Sequence, residues 1–250
     1  MIIADINCPI YVVHALHGYE QQENRIKRLF AEKNIDFEFV TDGDASALTE
    51  EKLNRYFVAD VLSRFKIGGV SCTLNHILAY EKFIQSGSKL AIVFENDPCL
   101  LKGFDRNLLR IVEEAKLLTP GFIISLENTT LTFPSFFQVK RGRCLYRATC
   151  GRMAGAYIID RAAALAALGD LKINPCSSII DWWHNGLIDR NVVKMYWAHP
   201  PITEQGSHNG LMQGTISTRQ KSAQRRLKWL VQKYYKMCVR RFFRQKSILE

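Results

Sequence analysis

No stretch of this 250-residue chain approaches the roughly 18–20 consecutive apolar residues that a membrane-spanning helix needs. No basic segment precedes the first apolar residues, and Asp5 already interrupts them, so the start does not read as a secretory signal. There is no Cys-x-x-Cys pair, and the cysteines number seven, an odd count. Those two facts argue against a zinc ribbon and against a disulfide framework, and the simplest expectation is a cytosolic protein with reduced, mostly buried thiols. No internal repeat is present. Acid is nearly missing from one region: from Arg219 to Glu250 there are eleven Lys or Arg and a single acid. Residues 1–218 hold 23 basic and 23 acidic residues, so the net charge of +10 resides entirely in the tail. A basic tail on a neutral body reads as a partner- or surface-binding device.

What the chain does have is a sizeable apolar fraction, 47%, against 23% charged residues. That composition supports a folded core, and the length suits one domain with an appendage. Leu90 to Asp97 is the most informative segment: an apolar, partly β-branched run that passes straight into Glu95-Asn96-Asp97. Such a run reads as a strand buried on both faces, with its acids emerging where open α/β sheets place ligands. Two acids at i and i+2 can hold a divalent cation, and the cation a diphosphate. Solvated acids at a strand end are the plainer alternative.

The flanking pattern is that of an α/β sheet. Ile10–Val13 and Phe37–Thr41 read as strands around an amphipathic helix at Glu20–Lys33. Thr49–Phe65 reads as one helix, Gly68-Gly69 as a break, and Val70–Gln85 as a second helix ended by Gly87. Further strands are expected at Phe122–Leu126, Gly155–Ile159 and Val192–Trp197, and two short ones within Leu131–Arg147. Helices are expected at Phe104–Leu118, Arg161–Leu168 and Ile180–Leu187, with an irregular loop from Pro200 to Gly214. Arg219–Lys246 projects as a basic helix with Leu227, Leu230, Val231, Tyr234, Met237, Cys238 and Phe242 on one side and Trp229 on the basic side. A helix of this kind suits a bilayer interface better than base stacking.

Several segments, in order over about residues 9 to 210, resemble the lipopolysaccharide glycosyltransferases of glycosyltransferase family 25, which include lipooligosaccharide galactosyltransferases. Ile10-Tyr11-Val12-Val13 with Arg25-Ile26 is similar to the family's opening strand and donor-recognising helix. Gly68-Gly69-Val70-Ser71-Cys72-Thr73-Leu74-Asn75-His76 is similar to a Gly-Glu-x-Gly-Cys-x-x-Ser-His pattern, and Ala91–Asp97 to an apolar strand ending in Glu-Asp-Asp. Gly155–Ile159 with Arg161, Asp181-Trp182-Trp183, and Pro201–Ser207 with Gln205 resemble the family's later motifs. The chain departs from the pattern at Gly69, Asn75 and Asn96. Asn96 still offers a carbonyl oxygen to a metal or a hydroxyl.

The resemblance implies a GT-A-like, Rossmann-type mixed sheet flanked by helices, placed over residues 1–218; the charge and projection of the tail add a basic amphipathic helix at 219–250. The resemblance also implies a UDP-sugar donor, usually UDP-galactose, and transfer with inversion to a lipid-linked oligosaccharide. Val13, Arg25, Asp42, Asn75, Glu95 and Asn96 are the expected donor contacts. Mn²⁺ or Mg²⁺ would stabilise the leaving diphosphate, with Asp97 as first ligand and His208 as second; Glu95 either joins them or bonds the ribose or backbone. Asp181 is the leading general base, flanked by tryptophans that suit sugar C–H faces, and Asp189 is the runner-up. Asp181 as a helix N-cap beside core tryptophans is the alternative. His76 is a catalytic candidate or a structural histidine. The tail is expected to meet an anionic membrane surface on the cytoplasmic face of a bacterial inner membrane, with no nucleic acid expected. Two other readings stay open: a carbohydrate-binding or regulatory member with impaired catalysis, and a nucleic-acid-binding protein using the tail.

Overall fold

The computed structural model describes residues 8–129, 133–212 and 222–240. In chain order its strands are β1 (Ile10–Val13), β2 (Glu38–Val40), β3 (Leu90–Glu95), β4 (Pro98–Leu100), β5 (Phe122–Ser125), β6 (Leu145–Ala148), β7 (Ala156–Asp160), β8 (Lys194–Ala198) and β9 (Thr203–Gln205). The helices are α1 (Glu20–Ala31), α2 (Glu50–Tyr56), α3 (Val61–Arg64), α4 (Ile67–Gln85), α5 (Phe104–Ala115), α6 (Arg161–Leu171), α7 (Ile180–Asp189), α8 (Gly206–Asn209) and α9 (Ala223–Tyr235). Asp5, Gly214, Arg219 and the expected helix residues from Arg241 onward lie outside the described residues.

Seven strands form one mixed sheet in the order β2-β1-β3-β7-β5-β8-β6. β1 is parallel to β2 and to β3, and β5 is parallel to β8. β7 runs antiparallel between β3 and β5, and β6 is antiparallel to β8. This pattern brings the C-terminal ends of β1, β3, β5 and β8 to the same edge of the sheet, together with the N-terminal end of β7. Burial follows the pleat. Tyr11, Val13, Ala91, Val93, Ile123, Tyr157 and Ile159 enter one core beneath α4, α6 and α7. Ile10, Val12, Ile92, Phe94, Ile124, Ala156 and Ile158 enter the other, beneath α1 and α5. Each large side chain buried this way contributes about 1.5–3 kcal/mol, so the central strands β1, β3, β7 and β5 form a rigid platform. Asp160 ties it together by capping α6 through Ala163 N–H and accepting the Gly121 and Phe122 N–H groups that open β5.

The fold class agrees with the sequence reading, and four local elements correct it. The expected helix over 49–65 is two helices. Phe57 and Val58 leave it to pair with the Cys176 segment: Val58 N–H donates to Cys176 O at 3.1 Å and Cys176 N–H to Tyr56 O at 2.8 Å. Gly68 and Gly69 form the first turn of α4 rather than a break. At Gly69 a side chain would meet Ile179 Cγ2 at 3.1 Å, so a glycine there permits α4 to approach the start of α7. The 200–214 loop contains β9 and α8, and β9 pairs antiparallel with β4 in a separate two-stranded sheet. Among the described residues of 131–147, one strand, β6, begins rather than two.

Candidate active site

The acids that end the apolar strands converge at one sheet edge. β3 delivers Glu95 and, after a short turn, Asp97; Leu126 after β5 delivers Glu127; the first turn of α7 brings Asp181. The β4–β9 pairing fixes the neighbourhood. Gly206 N–H donates to Asp97 O at 2.9 Å, and Ser207 N–H donates to Asp97 Oδ2 at 2.8 Å. Gln205 Nε2 donates to Glu95 Oε2 at 2.8 Å. Gly155 has to be glycine here, since a Cβ would lie 2.4 Å from Gln205 Cγ.

Burial and mutual repulsion shift Glu95, Glu127 and Asp181 upward. Glu95 is raised to about 8, by burial first and then by Asp97. Asp181 is raised to about 7, by burial first and then by Glu95, although Ala154 N–H donates to it. Glu127 is raised well above the carboxylate range, mainly by burial and next by Glu95. Its Oε2 accepts the Gly155 N–H at 3.1 Å and its Oε1 is buried without a partner. Four acids gathered in a partly desolvated pocket favour cationic company.

Two cavities open on this cluster. A cleft of about 520 Å³ is lined by Val13, His14, Tyr19, Asp44 and Ser46 together with Glu95, Asn96, Asp97 and His208. A second cavity of about 650 Å³ is lined by Glu127, Asn128, Trp182 and Asn185, and by Arg225, Lys228, Trp229 and Gln232 of α9. Met153, Asp181, Gln205 and His208 belong to both linings. Asp181 therefore stands at the seam between them. It is not the N-cap of α7, which is Ile179. The two neighbouring tryptophans divide: Trp183 is buried and stacked on Tyr80, whereas Trp182 is 60% exposed and faces the second cavity.

The structure sorts the remaining candidates. Asn75 lines the cleft and clamps its floor, with Oδ1 accepting Gly43 N–H at 2.7 Å and Nδ2 donating to His14 O at 3.2 Å. His76 lies fully buried behind the wall, its Nδ1 2.9 Å from Tyr157 OH, and burial holds its pKa down at about 3. Two expected donor contacts stand away from both linings. Arg25 donates to Pro98 O and Asn96 O, bracing the turn that carries Asp97. Asp42 is exposed, with Lys82 Nζ at 3.5 Å. Asp189, at the end of α7, also lies outside both linings.

Sequence reasoning overlooked Glu127, Asp44 and Arg152. Glu127 carries the same signal as Glu95, an apolar strand running into an acid. Asp44 accepts from Leu16 N–H, Ser46 N–H and Ser46 Oγ, shaping the loop at the cleft mouth. Arg152 is fully buried, with its guanidinium 4.8 Å from the Trp197 ring and Nη1 donating to Glu127 O and Ala198 O.

α9 is docked on the body rather than hanging from it. Glu204 of β9, 4% exposed, receives Arg226 Nη1 at 3.1 Å and Lys233 Nζ at 3.2 Å. Trp229 is pinned between those two cations, each 4.9 Å from its ring. The sequence projection put Trp229 on the basic side; it is buried there because cations cover it. Leu227, Val231, Tyr234 and Tyr235 face outward and are exposed. No helix among the described residues is long and apolar enough to cross a membrane.

The model of glycosyltransferase family 25 (LPS biosynthesis protein) matches residues 8–168. No curated protein matches the chain significantly. Among solved structures, mannose-1-phosphate geranyltransferase from Thermus thermophilus is similar at 11% identity, with a TM-score of 0.33 over 76% of this chain and 73% of that one. The family match begins just before β1, spans β3 with its acids and α4 with its Asn-His pair, and ends within α6, well over half of the chain. The chain belongs to glycosyltransferase family 25, and is a glycosyltransferase of LPS biosynthesis.

Proposed function

We propose that the protein moves a sugar, galactose by resemblance, from a UDP-sugar to a saccharide of a lipid-linked lipopolysaccharide core, with inversion. The observation that carries this reading is the pair of cavities that meet at Asp181. A direct displacement needs donor and acceptor on opposite sides of the reacting carbon, and a base on the acceptor's side. The cleft beside Asp97 suits the donor. The second cavity, with Trp182, Asn128, Asn185 and Gln232, offers the aromatic face and amides that a saccharide acceptor prefers. Asp181 would take the acceptor hydroxyl's proton.

A divalent cation fits the donor cleft on one internal observation. Asp97 Oδ2 is held by Ser207 N–H, while Oδ1 is buried with no hydrogen-bond partner. An orphaned carboxylate oxygen on an acid that already repels Glu95 suits a hard cation. Asp97 would hold Mn²⁺ or Mg²⁺, with His208 on the same lining as a further ligand. When bound, the ion supplies Lewis-acid stabilisation of the leaving diphosphate. Asp97→Ala is expected to lower Mn²⁺-dependent hydrolysis of UDP-galactose by at least about 100-fold while leaving the melting curve close to the parent's. Undiminished hydrolysis would remove Asp97 from the metal role. Screening UDP-galactose against UDP-glucose and their N-acetyl forms in the same assay tests the donor assignment.

The outward face of α9 supports a peripheral seat on an anionic membrane. Leu227, Val231 and Tyr234 lie on one side of the helix and are exposed, while Lys228 and Lys236 flank them. This is the pattern of a helix lying in a bilayer interface. Replacing Leu227, Val231 and Tyr234 together by Ser is expected to weaken binding to anionic vesicles by more than about 100-fold, measured by co-sedimentation. Unaltered sedimentation would refute membrane seating by this face.

A further inference from the structure

Cys72 and His76 are one helical turn apart on α4, and Glu95 ends β3 opposite them. One donor atom from each, a thiol sulfur, an imidazole nitrogen and a carboxylate oxygen, lie mutually within 4.8 Å. We propose that Cys72, His76 and Glu95 form a seat for a zinc-type transition-metal ion, distinct from the hard-cation position at Asp97.

Distance is the first argument. Zinc sits about 2.3 Å from sulfur and about 2.0–2.2 Å from nitrogen or oxygen, so tetrahedral ligands lie about 3.4–3.6 Å apart. His76 Nε2 and Glu95 Oε1 are 3.7 Å apart, which a few tenths of an ångström of side-chain motion converts to that spacing. The second argument is an unmet need. His76 is fully buried, and its Nε2 has no hydrogen-bond partner although it points at Glu95.

Outer partners already orient two of the ligands. Tyr157 OH meets His76 Nδ1 at 2.9 Å, leaving Nε2 for the ion. Gln205 Nε2 holds Glu95 Oε2 at 2.8 Å and leaves Oε1 turned toward His76. Metal-binding histidines and carboxylates are commonly fixed in this manner. An entry path exists, because Cys72 and Glu95 line the donor cleft. A thiolate among the ligands favours zinc over magnesium or manganese. On binding, the Cys72 S–H bond breaks, the sulfur's electron pair goes to the metal, and the proton leaves for solvent through the cleft. Three protein ligands would leave a fourth position open, as in zinc sites of the catalytic kind. The seat stands independently of the UDP-sugar reading.

Cobalt(II) titrated into the metal-stripped full-length chain tests the seat, because cobalt reports thiolate ligation as a charge-transfer absorption. One equivalent is expected to produce that band, and Zn²⁺ to displace it. Cys72→Ser is expected to abolish the band with the other six cysteines intact. Tyr157→Phe, which removes only the outer hydroxyl, is expected to weaken cobalt binding by about 10- to 100-fold. Asp97→Ala is expected to keep the band. Circular-dichroism melts of each variant establish that it is folded, and Cys72→Ala serves as a second substitution at the thiol. Absence of a band in the parent chain overturns the proposal, as does a band that survives in folded Cys72→Ser. Cobalt that binds without a charge-transfer band, and no longer binds in Asp97→Ala, would place the ion at the hard-cation position and also overturn it.

Discussion

Asp181→Asn is expected to lower sugar transfer by about 10²- to 10⁴-fold, the usual contribution of a positioned general base, with UDP-sugar affinity retained. Asn keeps the shape and can still accept the Ala154 N–H that orients the native carboxylate. What it loses is the ability to take a proton. Asp181 also belongs to both cavity linings, so a loss of transfer without a loss of donor binding separates base chemistry from a collapsed pocket. Isothermal titration with UDP, beside a transfer assay, makes the comparison. Unchanged turnover would exclude Asp181 and return attention to Glu127, the other acid lining the second cavity.

The pH dependence sharpens the same prediction. Burial, and then Glu95, lifts Asp181 to about 7. A base must be ionised, so transfer should fall tenfold per pH unit below about 7 and level off above it. In Asp181→Asn that limb should vanish. Stability runs the other way. A carboxyl raised from an ordinary 3.8 to about 7 binds its proton more tightly when folded, so its contribution is fully present below pH 4 and is lost as pH rises through 7. At pH 8 the ionised Asp181 therefore opposes folding, and Asp181→Asn is expected to melt higher than the parent chain. An inactive variant that is also more stable cannot be explained by misfolding.

The parts of this site that were legible in the sequence are those carried by short-range patterns. Leu90–Glu95 announces a buried strand because its apolar run has no polar alternation, and Asp97 follows within two residues. Asp181 is marked by adjacent tryptophans. Glu127 carries the same strand-to-acid signal after Phe122–Leu126 but merges with the aromatic, basic segment that follows. Pairings across long separations left no local trace. Gln205 reaches Glu95 over 110 residues, and Cys176 ends the expected helix near Phe57 from far along the chain. The helix near the C-terminus was legible as amphipathic, yet its docking was not. Its anchor, Glu204, lies in a Pro- and Gly-rich stretch with no periodicity, and Trp229 is buried among cations that a helical projection counts as solvent-facing.

That anchor leads to the second large effect. Glu204→Ala is expected to increase tryptic cleavage within α9 by about 10²- to 10³-fold, while β1 to β8 keep their protection. Glu204 is almost fully buried, and its two oxygens receive Asn128 Nδ2 at 2.8 Å, Asn209 Nδ2 at 3.0 Å, Arg226 Nη1 and Lys233 Nζ. Removing the carboxylate strands two cations beside a partly desolvated wall, a change that costs about 3–5 kcal/mol in buried pairs. The loss falls on α9 because that helix meets the body at this carboxylate, at Trp229 and at the Arg225 contact with Ser207 O, so local opening and not global melting should respond. Protease sensitivity then tracks the open population. Arg225, Lys228, Trp229 and Gln232 form one wall of the second cavity, so the freed helix takes that wall with it. Transfer to a saccharide should fall further than Mn²⁺-dependent donor hydrolysis, since α9 walls the second cavity but touches the donor-cleft lining through Arg225 Nη2 on Ser207 O. Glu204→Gln, which keeps both acceptor geometry and one hydrogen-bonding oxygen, should fall between the two. Equal cleavage rates in parent and Glu204→Ala would mean that α9 is held by something other than this carboxylate, and equal loss of hydrolysis and transfer would mean that the second cavity is not where the acceptor binds.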